Sequence, residues 1–177
     1  MSELEQSNVL RGDEVLADPL VSELVEARLI GVLATLDPAR VIHSIPMWYA
    51  PYDGAVLFAT SSSSRKVRNV ELDSRATLVL HDSRPGYEVC GASIVGAIEV
   101  VRPPDAQELI HRVQSRYVAI ELASDDPTAL SFLESDDVAL RLSPSSAFTW
   151  DHRPSEGSRI LRARGWARPL VTTEPRA

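Results

Sequence analysis

The stretch FATSSSSRKVRNVELD, residues 58–73, joins the end of an apolar strand to a helix through four consecutive serines. From Ser64 onward, Val67 and Val70 recur at helical spacing, whereas the charged residues between them fall on the opposite side. The stretch therefore predicts a strand, a polar turn and a helix that begins at Ser63 or Ser64. We call residues 60–66 the serine corner.

The serine corner contains every kind of donor that an anion requires. A helix start offers backbone N–H groups without partners and the positive end of the helix dipole. Serine hydroxyls add short donors, Arg65 adds a planar guanidinium, and Lys66 adds a compact ammonium. A phosphate site and an ordinary solvent-exposed loop are both compatible with this spacing, because serine-rich turns are common.

Upstream of the serine corner, the sequence predicts a helix and a meander of three strands. Asp18 and Pro19 are typical of a helix start. The Asp-Gly pair in YDGA predicts a hairpin, and Pro46 predicts an edge or a bulge in its strand. The predicted elements are a helix over 18–28 and strands over 29–36, 41–50 and 55–60.

Downstream, strands and one long helix complete the predicted domain. Gly91 and Gly96 in a long strand indicate bends or close backbone approach, as in curled sheets. The predicted elements are strands over 76–82 and 87–101, a helix over 103–122, and two strands within 137–151 around a Ser-Pro-Ser-Ser turn. The pattern favours one mainly β domain with α elements, a small barrel of six or seven strands with peripheral helices. Its expected boundaries are a flexible lead-in over 1–17, the domain over 18–152, and a tail over 153–177.

The composition excludes several classes of function. The chain has 177 residues and a formal net charge of -7, which argues against binding to a nucleic-acid backbone. The single cysteine, Cys90, excludes an internal disulfide and suits a cytoplasmic location. No apolar run is long enough to cross a membrane, the first residues do not look like a secretory signal, and the four histidines lack the spacing of a metal site. Lys66 is the only lysine.

The order of these motifs resembles the pyridoxamine 5'-phosphate oxidase-like proteins, split-barrel proteins that include FMN-dependent oxidases and deazaflavin-dependent reductases. The motifs are LIGVLATL, VIHSIPMWYA followed by an Asp-Gly turn and VLFAT, SRKVRNVELDSRATLVL, and IVGAIEVV. The resemblance covers residues from about 20 to 150. It implies an antiparallel split barrel and a homodimer that holds its cofactor in a groove between the two subunits.

The resemblance also implies a set of cofactor-binding residues. The second strand would contact the flavin ring, the end of the third strand the phosphoribityl chain, and the Ser-Arg-Lys motif the phosphate, with Asn69 one helical turn further on. The residues at these positions are Ser44, Ile45, Pro46, Met47, Ala59, Thr60, Ser64, Arg65, Lys66 and Asn69. The oxidases proper carry an arginine at the start of the segment that reads HSIPM in this chain. They also carry a glutamine on the fifth strand, which is replaced near Gly91 here. The residues with which they bind pyridoxine phosphate are not recognisable in the C-terminal part of this chain. These departures argue against the vitamin B6 reaction and leave flavin binding.

We therefore expect an FMN-binding oxidoreductase that acts on a small-molecule substrate. Three alternatives remain open: a reductase that uses the deazaflavin coenzyme F420, whose anionic tail is longer; a flavin binder or carrier that catalyses nothing; and a barrel that has lost its ligand site and only assembles. No catalytic acid or base is visible in the sequence. His43 lies on the second strand, where packing at the sheet is the favoured interpretation.

Overall fold

The computed structural model describes residues 9–84, 88–123 and 125–166, and those residues form a curved antiparallel sheet with helices around it. The strands are β1 (Val9–Arg11), β2 (Gly31–Leu36), β3 (Ile42–Met47), β4 (Ala50–Tyr52), β5 (Ala55–Thr60), β6 (Arg75–Arg84), β7 (Glu88–Val101) and β8 (Val138–Asp151). The helices are α1 (Glu14–Ala17), α2 (Pro19–Glu26), α3 (Arg65–Leu72), α4 (Ala106–Ser115), α5 (Ile120–Ala123), α6 (Pro127–Glu134) and α7 (Glu156–Ala163).

The strand order explains why the barrel is split. Seven strands follow the path β3-β2-β6-β7-β8-β5-β4, all antiparallel, and short β1 pairs with β8 beside that path. Although β3 and β4 are separated by only Trp48 and Tyr49, they lie at opposite ends of the path. The expected split barrel with six or seven strands is confirmed.

The barrel interior is filled by alternating apolar residues. Leu33, Phe58, Leu78, Ile94 and Leu140 are each completely buried, and each comes from a different strand. Burial of one such side chain contributes about 1.5–3 kcal/mol to stability. On the outside of β5, Leu57 packs with Val113 of α4, so this strand is covered on both faces.

Residues 138–151 form one strand, so the prediction of two strands within 137–151 around a Ser-Pro-Ser-Ser turn was wrong. Pro144 lies opposite Gly96, next to a register shift between Val95 and Gly96. A proline is tolerated at such a bulge because the bulge removes the need for its missing N–H. A Cβ atom on Gly96 would lie 2.2 Å from the carbonyl oxygen of Ser143, so the predicted close approach at this glycine is confirmed.

Both predicted ends of the domain also differ from the structure. The lead-in was expected to be flexible, but β1 pairs with β8 and Val15 of α1 is completely buried in the core. The expected tail contributes α7, and Arg153 binds both Glu23 and Asp151. The remaining parts of these predictions, residues 1–8 and 167–177, lie outside the described residues.

Two predicted elements are each divided in the structure. The strand expected over 41–50 is interrupted at Tyr49, whose buried hydroxyl donates to the carbonyl oxygens of Leu24 and Ala27. The helix expected over 103–122 ends at Ser115, and α5 follows as a separate helix. Within the described part of the chain, no helix has both the length and the apolar character needed to cross a membrane.

Candidate functional site

The serine corner connects the end of β5 to the start of α3. Ser64 has an extended backbone and precedes the first helical residue, yet its side chain makes no capping hydrogen bond to the helix. The first N–H groups of α3 therefore lack the side-chain acceptor that usually satisfies them. Together with the helix dipole, they favour an anion at this end of α3.

Lys66 is the most unusual residue of the serine corner. Its side chain is only 8% exposed, and its ammonium group donates to Oγ1 of Thr60 at 2.7 Å. Burial lowers the pKa of Lys66 below its usual value, and the nearby charge of Asp136 opposes this shift. Among the described residues, no carboxylate lies within ion-pair distance of Lys66. A buried cation in this situation favours an incoming anion because much of its dehydration has already taken place.

Two carboxylates already bind other donors of the serine corner. The backbone N–H and the hydroxyl of Ser62 donate to Asp137, at 2.5 and 2.7 Å, and these bonds lower the pKa of Asp137. Arg65 forms a 2.7 Å ion pair with Asp37, in the turn between β2 and β3. The corner is thus less positive than its own sequence indicates.

A third carboxylate, Asp136, lies beneath the corner. Burial raises its pKa, and a hydrogen bond from Nε2 of Gln114, at 3.1 Å, acts in the opposite direction. Sequence reasoning missed Asp37, Asp136 and Asp137 because none of them adjoins the serines in the chain. Their only signal was their position directly beside a strand end.

The structure brings four of the ten predicted cofactor-binding residues together. Thr60, Ser64, Arg65 and Lys66 lie within the corner, and Thr60 is also 3.5 Å from the hydroxyl of Ser64. Asn69 is 1% exposed and donates to Oγ1 of Thr35 at 3.0 Å, so it attaches α3 to β2. Ala59, in contrast, packs toward α4.

The predicted ring-binding segment lies on β3, at one end of the strand path. Ser44 and Pro46 are exposed, whereas Ile45 and Met47 are half-buried, and Met47 packs against the core. The ion pair between Arg65 and Asp37 connects the hairpin that contains β3 to the serine corner. The two predicted parts of the site are therefore connected through this hairpin.

A cavity of about 890 Å³ lies elsewhere, between α2, the β4–β5 hairpin and α4. Its lining includes Val25, Tyr52 and Arg112, with the guanidinium of Arg112 4.9 Å from the centre of the Tyr52 ring. None of the ten predicted cofactor-binding residues lines it. In the described ranges, no group of three or more His, Cys, Asp or Glu side chains is placed to hold a metal ion.

Comparison with known families identifies the group to which this split barrel belongs. A family model described as "Pyridoxamine 5'-phosphate oxidase" matches residues 17–151. The chain belongs to the pyridoxamine 5'-phosphate oxidase family. This is a family of proteins with flavin-type cofactors. No curated protein sequence matched the chain.

Solved structures share the fold of this pyridoxamine 5'-phosphate oxidase family member. A conserved hypothetical protein from Mycobacterium tuberculosis is 26% identical, with a TM-score of 0.65 over 93% of this chain and 96% of the other. A structure titled "F420 Reductase" is 22% identical, with a TM-score of 0.55 over 71% of this chain and 94% of the other. A FAD-binding protein from Mesorhizobium loti is 18% identical, with a TM-score of 0.52 over 82% of this chain and 99% of the other. The last two similarities establish the fold alone.

Proposed function

We propose that this protein binds FMN through the serine corner and β3, and that it acts as an oxidoreductase on a small-molecule substrate. The observation that carries the proposal is Lys66, a buried cation whose hydrogen-bond partner is the neutral hydroxyl of Thr60. It lies in the first turn of a helix whose starting N–H groups have no side-chain cap. Family membership supports a flavin-type cofactor for this anion site.

The residues of the corner fit a phosphate group. Lys66 supplies a positive charge that is not paired with a carboxylate among the described residues, so the phosphate displaces none there. The start of α3 supplies backbone N–H donors. Arg65 and Ser62 contribute by exchanging their carboxylate partners, Asp37 and Asp137, for phosphate oxygens. A bound flavin would supply hydride and electron transfer, whereas the residues of this chain hold it, orient it and exclude water.

A deazaflavin coenzyme is the second candidate, because the carboxylates at the corner oppose its phosphate less than that of FMN, although its longer tail carries further negative charge. A phosphate monoester, as in FMN, carries about −1.5 to −2 charges at neutral pH. A phosphodiester, as in coenzyme F420, carries one charge. Asp37 and Asp137 reduce the positive potential at the corner, which disfavours a doubly charged group more than a singly charged one.

The cofactor is identified by extracting the purified full-length protein and measuring the mass of what is released. Recovery of FMN, or saturable FMN binding to colourless protein, supports the first candidate. Binding of coenzyme F420 with no binding of FMN supports the second. If the protein binds neither molecule, the proposal of a flavin-type oxidoreductase is wrong.

We propose further that the protein is a homodimer, because a row of mostly apolar residues crosses the outer face of its sheet. Directly paired residues form a row across that face: Pro46, Val32, Val79, Ser93, Phe148 and Val9. Phe148 is 44% exposed and Ile42, on the same face at the edge strand, is 68% exposed. Contiguous exposed apolar surface of this kind favours association, and pairing through one face also protects the edge of β3.

The dimer is tested by light scattering of the wild type and two variants. Phe148→Asp introduces a charge into this face and is expected to produce monomers that still fold. Ile160→Asp is the matched control, since Ile160 is also 44% exposed but lies on α7. A monomeric wild type, or equal dissociation by both variants, contradicts this interface.

The oxidoreductase is distinguished from a non-catalytic carrier by the rate of electron transfer. Reduced protein is mixed with oxygen, quinones and other acceptors in a stopped-flow instrument. Rates well above those of the free cofactor support an enzyme that positions its substrate. Rates equal to those of the free cofactor support a binder or carrier.

A further inference from the structure

One imidazole nitrogen of β3 is buried without a hydrogen-bond partner. Nδ1 of His43 has no contact with solvent, and no described residue donates to it or accepts from it. Most buried polar atoms in proteins are paired, because an unpaired one has lost its hydrogen bonds to water without replacement. Packing alone therefore does not account for a histidine at this position.

The strand register places His43 beside the serine corner. His43 lies directly opposite Thr35 of β2, and Cβ atoms in such a pair are about 4.5–5.5 Å apart. Oγ1 of Thr35 accepts the hydrogen bond from Asn69, on the helix that also carries Lys66. By the alternation of a strand, His43 shares the half-buried side of β3 with Met47, which packs against the core.

His43 also lies between the two parts of the proposed cofactor site. The ring-binding segment, residues 44–47, follows it immediately on β3. The turn before β3 contains Asp37, which is attached to Arg65 in the serine corner. If the phosphate of a ligand lies at the corner and its ring lies along β3, the ligand's connecting chain runs past His43.

From this geometry we propose that His43 is a cofactor-binding residue: its half-buried ring turns about the Cβ–Cγ bond when the ligand binds, and Nδ1, enclosed without the ligand, then forms a hydrogen bond with a hydroxyl or phosphate oxygen of the ribityl phosphate chain. The inference rests on the proposed function and adds a residue that the sequence analysis assigned to packing. The neighbouring polar groups do not replace this partner, since Asn69 is bound to Thr35 and Lys66 to Thr60. The ligand class is a polyol phosphate attached to a planar ring.

Three substitutions separate this role from packing. In His43→Asn the amide lies close to the position of Nδ1, in His43→Gln it lies closer to the position of Nε2, and His43→Leu has no polar atom. Titration of the full chain with FMN, followed by flavin fluorescence, is expected to give binding about 5- to 12-fold weaker for His43→Leu and His43→Gln. His43→Asn is expected to stay within about threefold of the wild type.

Urea unfolding of the cofactor-free full chain provides the second readout. Because Nδ1 has no partner in the chain itself, His43→Leu is expected to unfold at the same or a higher urea concentration than the wild type. Weaker binding together with unchanged or greater stability is a combination that loss of packing does not produce.

The outcomes distinguish failure of this inference from failure of the proposed function. If Lys66→Met weakens FMN binding but His43→Leu does not, the proposed function stands and His43 is not a cofactor contact. If His43→Leu clearly destabilises the cofactor-free chain, Nδ1 has a partner without the cofactor and the inference is overturned. If the wild type binds neither FMN nor coenzyme F420, the proposed function fails and the inference fails with it.

Discussion

Replacement of Lys66 by methionine separates the anion-binding role of this residue from a structural one. Methionine has a similar length and no charge, so it fills the space of a side chain that is 8% exposed. A hydrogen bond to a charged group contributes about 1.5–3 kcal/mol, which corresponds to about 10- to 150-fold in affinity. We expect the upper part of this range, because the ammonium is already largely dehydrated and has no carboxylate to release before it binds phosphate.

The same substitution is expected to have little effect on the fold. Lys66→Met removes the 2.7 Å hydrogen bond to Thr60, a loss of about 1 kcal/mol, and also removes a buried charge. Since burial lowers the pKa of Lys66, its charged form is disfavoured in the folded state, and removal of that charge offsets the lost bond. The free energy of unfolding at pH 7 should therefore change by less than about 1.5 kcal/mol.

The assay compares FMN with riboflavin, which has the same ring and ribityl chain but no phosphate. Fluorescence titration is expected to show a large loss of FMN affinity in Lys66→Met and no change in riboflavin affinity. Arg68→Met is the matched control, because Arg68 is an exposed cation on the same helix and should change FMN binding less than threefold. Equal losses for FMN and riboflavin, or equal losses in the two variants, would refute the assignment of Lys66 to the phosphate.

Three further substitutions test the electrostatics and the packing around the site. Burial raises the pKa of Asp136 above its usual 3.8, so the stability gained from its protonated form is complete below that pH and is lost as pH rises through the raised value. In urea unfolding, Asp136→Asn should therefore lose less stability than the wild type between pH 4 and 7. An identical pH profile for the two proteins would contradict this. Asp18→Ala should lower the free energy of unfolding by about 0.5–2 kcal/mol because Asp18 accepts from two N–H groups of α2, whereas Asp13→Ala should cost less because Asp13 makes no such bond. Gly96→Ala should destabilise the protein by about 2 kcal/mol or more, since the new Cβ would overlap backbone atoms. Gly157→Ala is the control, because the nearest atom to a Cβ there is 4.0 Å away. Similar melting temperatures for the two variants would argue against the close approach at Gly96.

Local signals in the sequence were sufficient for much of the fold. Asp18 and Pro19 begin α2 as their residue types indicate, and the side chain of Asp18 caps the helix. The hairpin predicted at Asp53 and Gly54 has the positive φ angles that such turns require, 45° and 67°. These features depend on neighbours within four residues, so the sequence around them contains the whole explanation.

The parts that could not be predicted depend on strand register between distant segments. Thr60 pairs with Val138, and this one register places Asp137 beside Ser62. Likewise, the pairing of Thr35 with His43 places an imidazole next to the polar contact of Asn69. The prediction of an interruption within 137–151 was wrong for a related reason: pairing with β7 takes up Ser145 as a bulge, and the bulge lets Pro144 remain in the strand.

The distribution of carboxylates determines which donors of the serine corner contribute to cofactor affinity. Before a phosphate binds, the donors of Ser62 are already bound to Asp137 and the guanidinium of Arg65 to Asp37. For these residues the gain in binding free energy is only the difference between a hydrogen bond to a phosphate oxygen and one to a carboxylate oxygen. Repulsion between the phosphate and the carboxylate that remains nearby reduces this gain further. Lys66 has no such exchange to make, so most of the affinity for the phosphate should come from the one lysine of the chain rather than from the four serines that make the corner conspicuous in the sequence.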